Sequence, residues 1–170
     1  GSVKQALPFD RTQVVTSIYG QFANKNLNSA EQFYLGGPYG VRAYPVSQGG
    51  GSHGVMASVE VTRTYSNQLQ LGAFIDAGLV QQYKNTYSNW QGQTQASNAY
   101  ALYAAGPSIK YNYEKIQFQG ALAFRIGNNP LHNQSGQQLN VSNQYKAVQA
   151  WAKATMFYWK IGKNAELIRS

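Results

Sequence analysis

The run from Leu69 to Leu79 alternates between two kinds of residue with a period of two. One side of an extended chain would carry the apolar residues Leu69, Leu71, Ala73, Ile75, Ala77 and Leu79. The other side would carry Gln68, Gln70, Gly72, Phe74, Asp76 and Gly78. Because successive side chains of a β-strand point to opposite sides, the run predicts a strand that separates two environments. A strand between lipid and a polar lumen needs this pattern.

Similar alternation recurs along the chain, and we expect six strands. Their ranges are 12–23, 55–65, 68–79, 101–113, 116–127 and 145–159. Short turns alternate with long connections, which cover 24–54, 81–98 and 128–144. Outer-membrane barrels show this asymmetry, because their periplasmic turns are short and their extracellular loops are long. The alternative is a soluble β-sandwich or a lipocalin-like barrel, a binding module whose strands also alternate.

The composition favours a membrane barrel over a cytosolic enzyme. Only 12% of the residues are charged, whereas 14% are aromatic. No apolar run approaches the length of a transmembrane helix, so strands are the predicted membrane-crossing elements. The smallest common membrane barrels have about eight strands, and an open edge cannot face lipid. Six strands therefore predict either a piece of a larger barrel, which the sequence favours, or several copies that complete one another.

Several classes of site are disfavoured by the residue types present. The chain has no cysteine, and its two histidines, His53 and His132, lie in predicted connections. No G-x-S-x-G nucleophile motif is present, so we expect no catalytic site, no metal site and no cofactor. The net charge is +8, but the basic residues are scattered singly, and we expect no nucleic-acid partner.

Two motifs carry a family resemblance. "EQFYLGGPYGVRAYP" (31–45), followed by "FIDAG" (74–78), resembles the C-terminal barrel of two-partner secretion transporters. These are the TpsB or haemolysin secretion/activation proteins (ShlB/FhaC/HecB type) of Gram-negative outer membranes. The family's VRGY-type motif is matched by Val41, Arg42, Ala43 and Tyr44, with Ala43 where the wider superfamily usually has Gly. The F-x-D-x-G pattern is matched by Phe74, Asp76 and Gly78.

The resemblance implies a fold and a function. The fold would be a sixteen-stranded transmembrane β-barrel, of which this chain holds the last six strands, with the loop 24–54 folded into the pore. The function would be the export of a large unfolded TpsA-type exoprotein, such as a haemolysin, an adhesin or a contact-dependent toxin. Lipid, lipopolysaccharide and the barrel assembly machinery would be further partners. The alternative in the same superfamily is an outer-membrane protein assembly factor.

Physical reasoning gives Arg42 a partner as well. A guanidinium inside a barrel needs a carboxylate, because an unpaired buried charge is costly. The acidic residues of the chain are Asp10, Glu31, Glu60, Asp76, Glu114 and Glu166. Asp76 lies on the predicted lumen face of its strand, and Glu60 lies on the polar face of the preceding strand. We therefore expect Arg42 to bind Asp76, with Glu60 as a second partner; the alternative is an arginine in solvent at a loop tip.

Glycines and chain boundaries complete the expectations. Gly36, Gly37 and Gly40 would let the long loop fold compactly, whereas residues 49–51 are equally consistent with a flexible surface loop. The barrel segment is expected over 3–159, because residues 1–2 resemble a cloning remnant. Residues 160–170 are an atypical tail, since barrels of this kind usually finish on an aromatic residue.

Overall fold

The computed structural model of the protein describes residues 1–6, 11–92, 94–95, 97–139 and 146–157. These residues form nine strands: β1 (Ser2–Ala6), β2 (Thr12–Gln21), β3 (Phe33–Tyr34), β4 (Gly50–Gly51), β5 (His53–Thr64), β6 (Leu69–Gln81), β7 (Ala99–Tyr113), β8 (Ile116–Ile126) and β9 (Val148–Met156). Seven of them make one antiparallel sheet in the order β1-β2-β5-β6-β7-β8-β9, and β3 pairs with β4 separately. The described part contains no helix long and apolar enough to cross a membrane. The expected all-β, antiparallel fold is confirmed.

The sheet contains one strand more than the six expected. β1 pairs with β2, and the Gly1 amino group donates to the carbonyl of Ile18 at 2.8 Å. The sequence SVKQA shows no clear alternation, so the pairing of its backbone was not visible from its residues. The predicted last strand, 145–159, is shorter in the structure: β9 begins at Val148 and ends at Met156. Residues 158–170, with the expected tail, lie outside the described residues.

The two faces of the sheet differ as the alternation predicts. On β6, Leu71, Ile75 and Leu79 are exposed, whereas Phe74 and Asp76 are buried. The neighbouring strands repeat this exposure of large apolar side chains at Val55, Val59, Val61, Ile109, Tyr111, Phe118, Leu122, Phe124 and Ile126. We call this side of the sheet the outer face and the opposite side the inner face.

The inner face is covered by the connection 22–52, which we call the inner loop. The core consists of residues from that loop and from the inner face: Leu35, Val41, Ala43, Tyr44, Met56, Phe74, Val80, Tyr100, Leu102, Ala104 and Ala123. The surface-loop alternative for residues 49–51 is wrong, because Gly49 and Gly51 are buried and Gly51 belongs to β4. The inner loop therefore supplies several of the buried side chains against which the inner face of the sheet packs.

Candidate functional site

The tip of the inner loop, residues 35–48, is a compact series of turns. The Val41 N–H donates to the carbonyl of Leu35 at 2.7 Å, and the Tyr44 N–H donates to that of Val41 at 3.1 Å. The chain passes so close to itself that a Cβ on Gly40 would lie 2.0 Å from the Leu35 carbonyl oxygen. A Cβ on Gly36 would lie 2.1 Å from the oxygen of Pro45. These glycines therefore permit close backbone approach, and only Gly37 among the three has a positive φ, 116°.

Arg42 forms a two-pronged bond with Asp76. Its Nε donates to Asp76 Oδ2 at 2.9 Å, and its Nη2 donates to Asp76 Oδ1 at 2.9 Å. The backbone N–H of Arg42 also donates to Oδ2, at 3.1 Å. Such fork-to-carboxylate pairing is among the strongest hydrogen bonds that proteins make, and Asp76 is fully buried. One carboxylate thus holds both the side chain and the main chain of Arg42.

Three further side chains complete the polar network. Arg42 Nη1 donates to Glu60 Oε2 at 2.9 Å. Ser58 Oγ donates to Asp76 Oδ1 at 2.7 Å and accepts from Arg42 Nη2 at 3.1 Å. The hydroxyl of Ser108, on β7, donates to the other oxygen of Glu60. Because every buried charge has a partner of opposite sign, the network meets the condition under which a buried ion pair is tolerated.

Strand pairing places these groups together. β5 and β6 are paired so that Ser58 lies opposite Asp76 and Glu60 lies opposite Phe74. The alternation of a strand then brings all four side chains to the inner face. Residues 58 and 60 are two apart on β5, and residues 74 and 76 are two apart on β6. The two opposing pairs are therefore neighbours on the same face of the sheet.

Phe74 and Gly78, the other matched residues of the 74–78 motif, form part of the surface on which the loop tip packs. The guanidinium carbon of Arg42 lies 3.3 Å above the centre of the Phe74 ring, a cation–π contact. A Cβ on Gly78 would lie 2.6 Å from Leu35 Cδ2 and 3.1 Å from Val41 Cγ2. Phe74 thus packs against the Arg42 guanidinium, and Asp76 forms its ion pair. The missing side chain at Gly78 leaves room for the apolar side chains of the loop.

The surroundings shift the pKa values of two residues in the loop tip, Arg42 and Tyr44. Burial opposes the charge of the Arg42 guanidinium, but the hydrogen bonds and charge of Asp76, and then of Glu60, outweigh burial and raise its pKa above the usual value. Burial also raises the pKa of the Tyr44 hydroxyl, although the nearby positive charge of Arg125 acts in the opposite direction. Arg42 therefore stays charged and Tyr44 stays neutral across the physiological range.

The sequence reasoning identified the central residues and missed several that support them. Ser58 and Ser108 were not singled out, because serine is common on polar strand faces. Arg125 on β8 and Trp151 on β9 were also missed: Arg125 stacks 4.5 Å above the Tyr44 ring, and Trp151 donates to the carbonyl of Arg42. Position on the inner side of a strand was the one signal available for these residues.

The histidines lie apart from this site. His53, expected in a connection, is the first residue of β5, and its Nδ1 accepts from the backbone N–H of Ala23 at 3.4 Å. His132 lies in the connection between β8 and β9. Among the residues that the structure describes, no cluster of histidine, aspartate and glutamate side chains could hold a metal ion. The network around Arg42 joins the loop tip to β5 and β6 through ion pairs and hydrogen bonds.

Comparison with known proteins identifies the family. The fold is similar to that of CdiB from Acinetobacter baumannii, with a TM-score of 0.63 at 18% sequence identity. The similarity covers 92% of this chain but 26% of the CdiB chain, so the present chain spans about a quarter of that protein. No curated protein sequence matches the chain. The family described as haemolysin secretion/activation protein ShlB/FhaC/HecB matches residues 2–106, which include both motifs. The resemblance inferred from those motifs is thereby confirmed, and the chain belongs to the ShlB/FhaC/HecB family of haemolysin secretion/activation proteins.

Proposed function

We propose that this chain forms part of the wall of a protein-exporting pore in the bacterial outer membrane. The complete pore is a sixteen-stranded barrel, and its cargo is a large unfolded TpsA-type exoprotein of the haemolysin, adhesin or contact-dependent toxin type. Arg42 and Asp76 hold the inner loop in its working conformation, and Tyr44 and Phe74 pack around them. Membership of a secretion family supports export over the assembly of other barrels.

One observation carries the membrane part of the proposal. The same strands expose large apolar side chains on the outer face and bury the charged network on the inner face. A soluble sheet would cover its apolar side, because contiguous exposed apolar surface on a monomer is rarely large. Lipid is the environment in which such an outer face is stable, and lipopolysaccharide is the lipid of the outer leaflet in this compartment.

The inner side carries many polar side chains where it is not covered by the loop. A cavity of about 560 Å³ lies beside Arg42. Its polar lining includes Gln13, Glu60, Thr62, Gln70, Ser108, Lys110, Gln119 and Lys153. These polar side chains can offer hydrogen bonds to an extended polypeptide, and apolar groups such as Val15 and Trp151 line the same cavity.

The decisive experiment replaces Arg42 in the full-length protein. Arg42→Ala removes every bond to Asp76 that the side chain makes, and we expect export to fall at least tenfold while the barrel still inserts. The exported partner is measured by immunoblot of the culture medium, and insertion is measured by the heat-dependent gel mobility of folded barrels.

Arg63→Ala is the matched control, because Arg63 is an exposed arginine near the end of β5 whose guanidinium lies 5.5 Å above the Tyr65 ring. Export should remain at the parental level in this variant. Normal export by Arg42→Ala would contradict the role of the loop, and loss of the protein from the membrane fraction would contradict the statement that the barrel inserts without it.

A further inference from the structure

The tip of the inner loop also contacts the last two strands at one edge of the sheet, β8 and β9. The indole Nε1–H of Trp151 donates to the carbonyl of Arg42 at 2.7 Å. The Nε–H of Arg125 donates to the carbonyl of Ala43 at 3.2 Å. Trp151 lies on β9 and Arg125 on β8, whereas the carboxylates that bind the Arg42 side chain lie on β5 and β6. The loop tip therefore spans the inner face of the sheet from one pair of strands to another.

These two bonds satisfy a specific need of the turn. The carbonyls of Val41 and Tyr44 accept backbone N–H groups from within the loop, namely those of Tyr44 and Gly37. The carbonyls of Arg42 and Ala43 instead accept the side-chain donors of β8 and β9. A buried carbonyl without a donor is costly, so the turn depends on these donors to keep its conformation.

Arg125 makes a second contact with the same segment. Its guanidinium stacks 4.5 Å above the ring of Tyr44, a residue that is fully buried. A planar guanidinium can donate through one edge while its face lies on an aromatic ring, which an ammonium group cannot do. Arg125 thus holds the backbone of one residue and the side chain of the next.

We propose that Trp151 and Arg125 are positioning residues that form a second anchor for the loop tip. The carboxylates of β5 and β6 fix the side chain and the N–H of Arg42, and the second anchor fixes its carbonyl side. The tip then connects β5 and β6 to β8 and β9, and each anchor stabilises the position of the tip separately. The family match ends at residue 106, so both residues lie outside it. This inference concerns the position of the loop and stands whether or not the protein exports a partner.

A thiol on the loop tip tests the proposal. The chain has no cysteine, and Val41 is fully buried, so Val41→Cys places a single small thiol of this chain in a protected position. The measured quantity is its rate of reaction with a maleimide in the purified, folded full-length protein. We expect Trp151→Phe and Arg125→Met each to accelerate the reaction about three- to tenfold, as the loss of one buried hydrogen bond predicts.

Matched controls separate the anchor from general loosening. Trp90→Phe and Arg63→Met make the same chemical changes outside the inner loop and should leave the rate unchanged. Benzothienylalanine at position 151 keeps the shape of the indole and lacks its N–H donor, so it should act like Trp151→Phe and remains informative if that variant does not fold. Arg125→Lys should give an intermediate rate, because it keeps the charge and loses the planar fork.

Combination with the first anchor tests independence. If the anchors act separately, the accelerations caused by Asp76→Asn and Trp151→Phe multiply in the double variant. Rates in the Trp151 and Arg125 variants equal to those of the controls would overturn the proposal. A double variant no faster than Asp76→Asn alone would overturn the claim that the second anchor acts on its own.

Discussion

The inner loop and the connection 82–98 leave the same end of the sheet but differ in burial. The inner loop turns onto the inner face and buries Leu35, Val41 and Tyr44 completely. The other connection, which we call the outer loop, stays exposed and packs on itself: Tyr83 meets Tyr87 and Trp90 edge-to-face, with ring centres 5.3 and 5.8 Å apart. The two loops meet where Asn26 and Asn85 exchange a pair of hydrogen bonds at 2.8 and 2.9 Å. They also meet where the backbone N–H and the hydroxyl of Ser52 donate to the carbonyl of Gln82 at 3.0 and 3.2 Å.

The difference teaches that complementarity on the sheet decides where a long loop goes. The inner loop carries one arginine and closely packed glycines. The arginine binds the carboxylate and packs on the aromatic ring of β6, and the loop's apolar side chains fill the space at Gly78. The outer loop is rich in Gln, Asn, Ser and Tyr and contains one charged residue, Lys84. Its polar groups bond to each other, as Asn98 does with both the N–H and the carbonyl of Tyr83. The following substitutions test this contrast.

Asp76→Ala should have the largest effect on stability. It leaves the Arg42 guanidinium buried beside Phe74 without its main partner, and breaking a buried pair in this way costs about 3–5 kcal/mol. The free energy of unfolding is measured by urea titration of the protein refolded into phospholipid vesicles. Asn98→Ala in the outer loop removes two hydrogen bonds near solvent and should cost about 1 kcal/mol. Equal losses for the two variants would abolish the contrast between the loops.

Gly40→Ala should follow in size. Its new Cβ would lie 2.0 Å from the Leu35 carbonyl oxygen, so the backbone must move, at a cost of about 1–3 kcal/mol. Gly92→Ala is the control in the outer loop, since its Cβ has no atom within 4 Å and only its φ of 57° opposes alanine. Strain of that kind costs about 1–2 kcal/mol. The same urea titration compares the two, and a greater loss for Gly92→Ala would contradict the close packing of the inner loop.

Glu60→Gln should have a smaller effect than either change above. Glu60 is 27% exposed at its side chain and shares Arg42 with Asp76, so screening by solvent limits the loss to about 1 kcal/mol. Glu31→Gln is the control, because Glu31 is exposed and bonds to Asn28 within the same loop. If Glu60→Gln were as damaging as Asp76→Ala, the two carboxylates would have equal roles, contrary to their burial.

Trp90→Phe should have the smallest effect. Trp90 packs against Tyr83 in the outer loop, and a phenyl ring can keep this contact, so we expect a change within about 0.5 kcal/mol. Thermal unfolding followed by gel mobility is sufficient to detect a larger loss. A shift as large as that of Gly40→Ala would show that the outer loop also stabilises the sheet.

Features set by residues that are close in the sequence could be predicted, whereas contacts between distant residues could not. The two faces of β6 follow from alternation within eleven residues, and the partners of Arg42 follow from those faces together with the scarcity of acidic residues. Trp151 and Arg125 could not be assigned to the loop tip, because their contacts with residues 42 and 43 join positions 109 and 82 residues apart in the sequence. β1 was missed for a different reason, since its backbone pairing leaves little trace in five residues.

The pairing of Ser58 with Asp76 has a consequence for how the strands align. If β6 slipped by one residue against β5, Asp76 would turn to the outer face, and if it slipped by two, the carboxylate would move about 7 Å along the strand. In neither arrangement could Arg42 reach Ser58, Glu60 and Asp76 together. The ion pairs of the loop tip are therefore compatible only with the observed alignment of β5 and β6, and they stabilise that alignment against either slip.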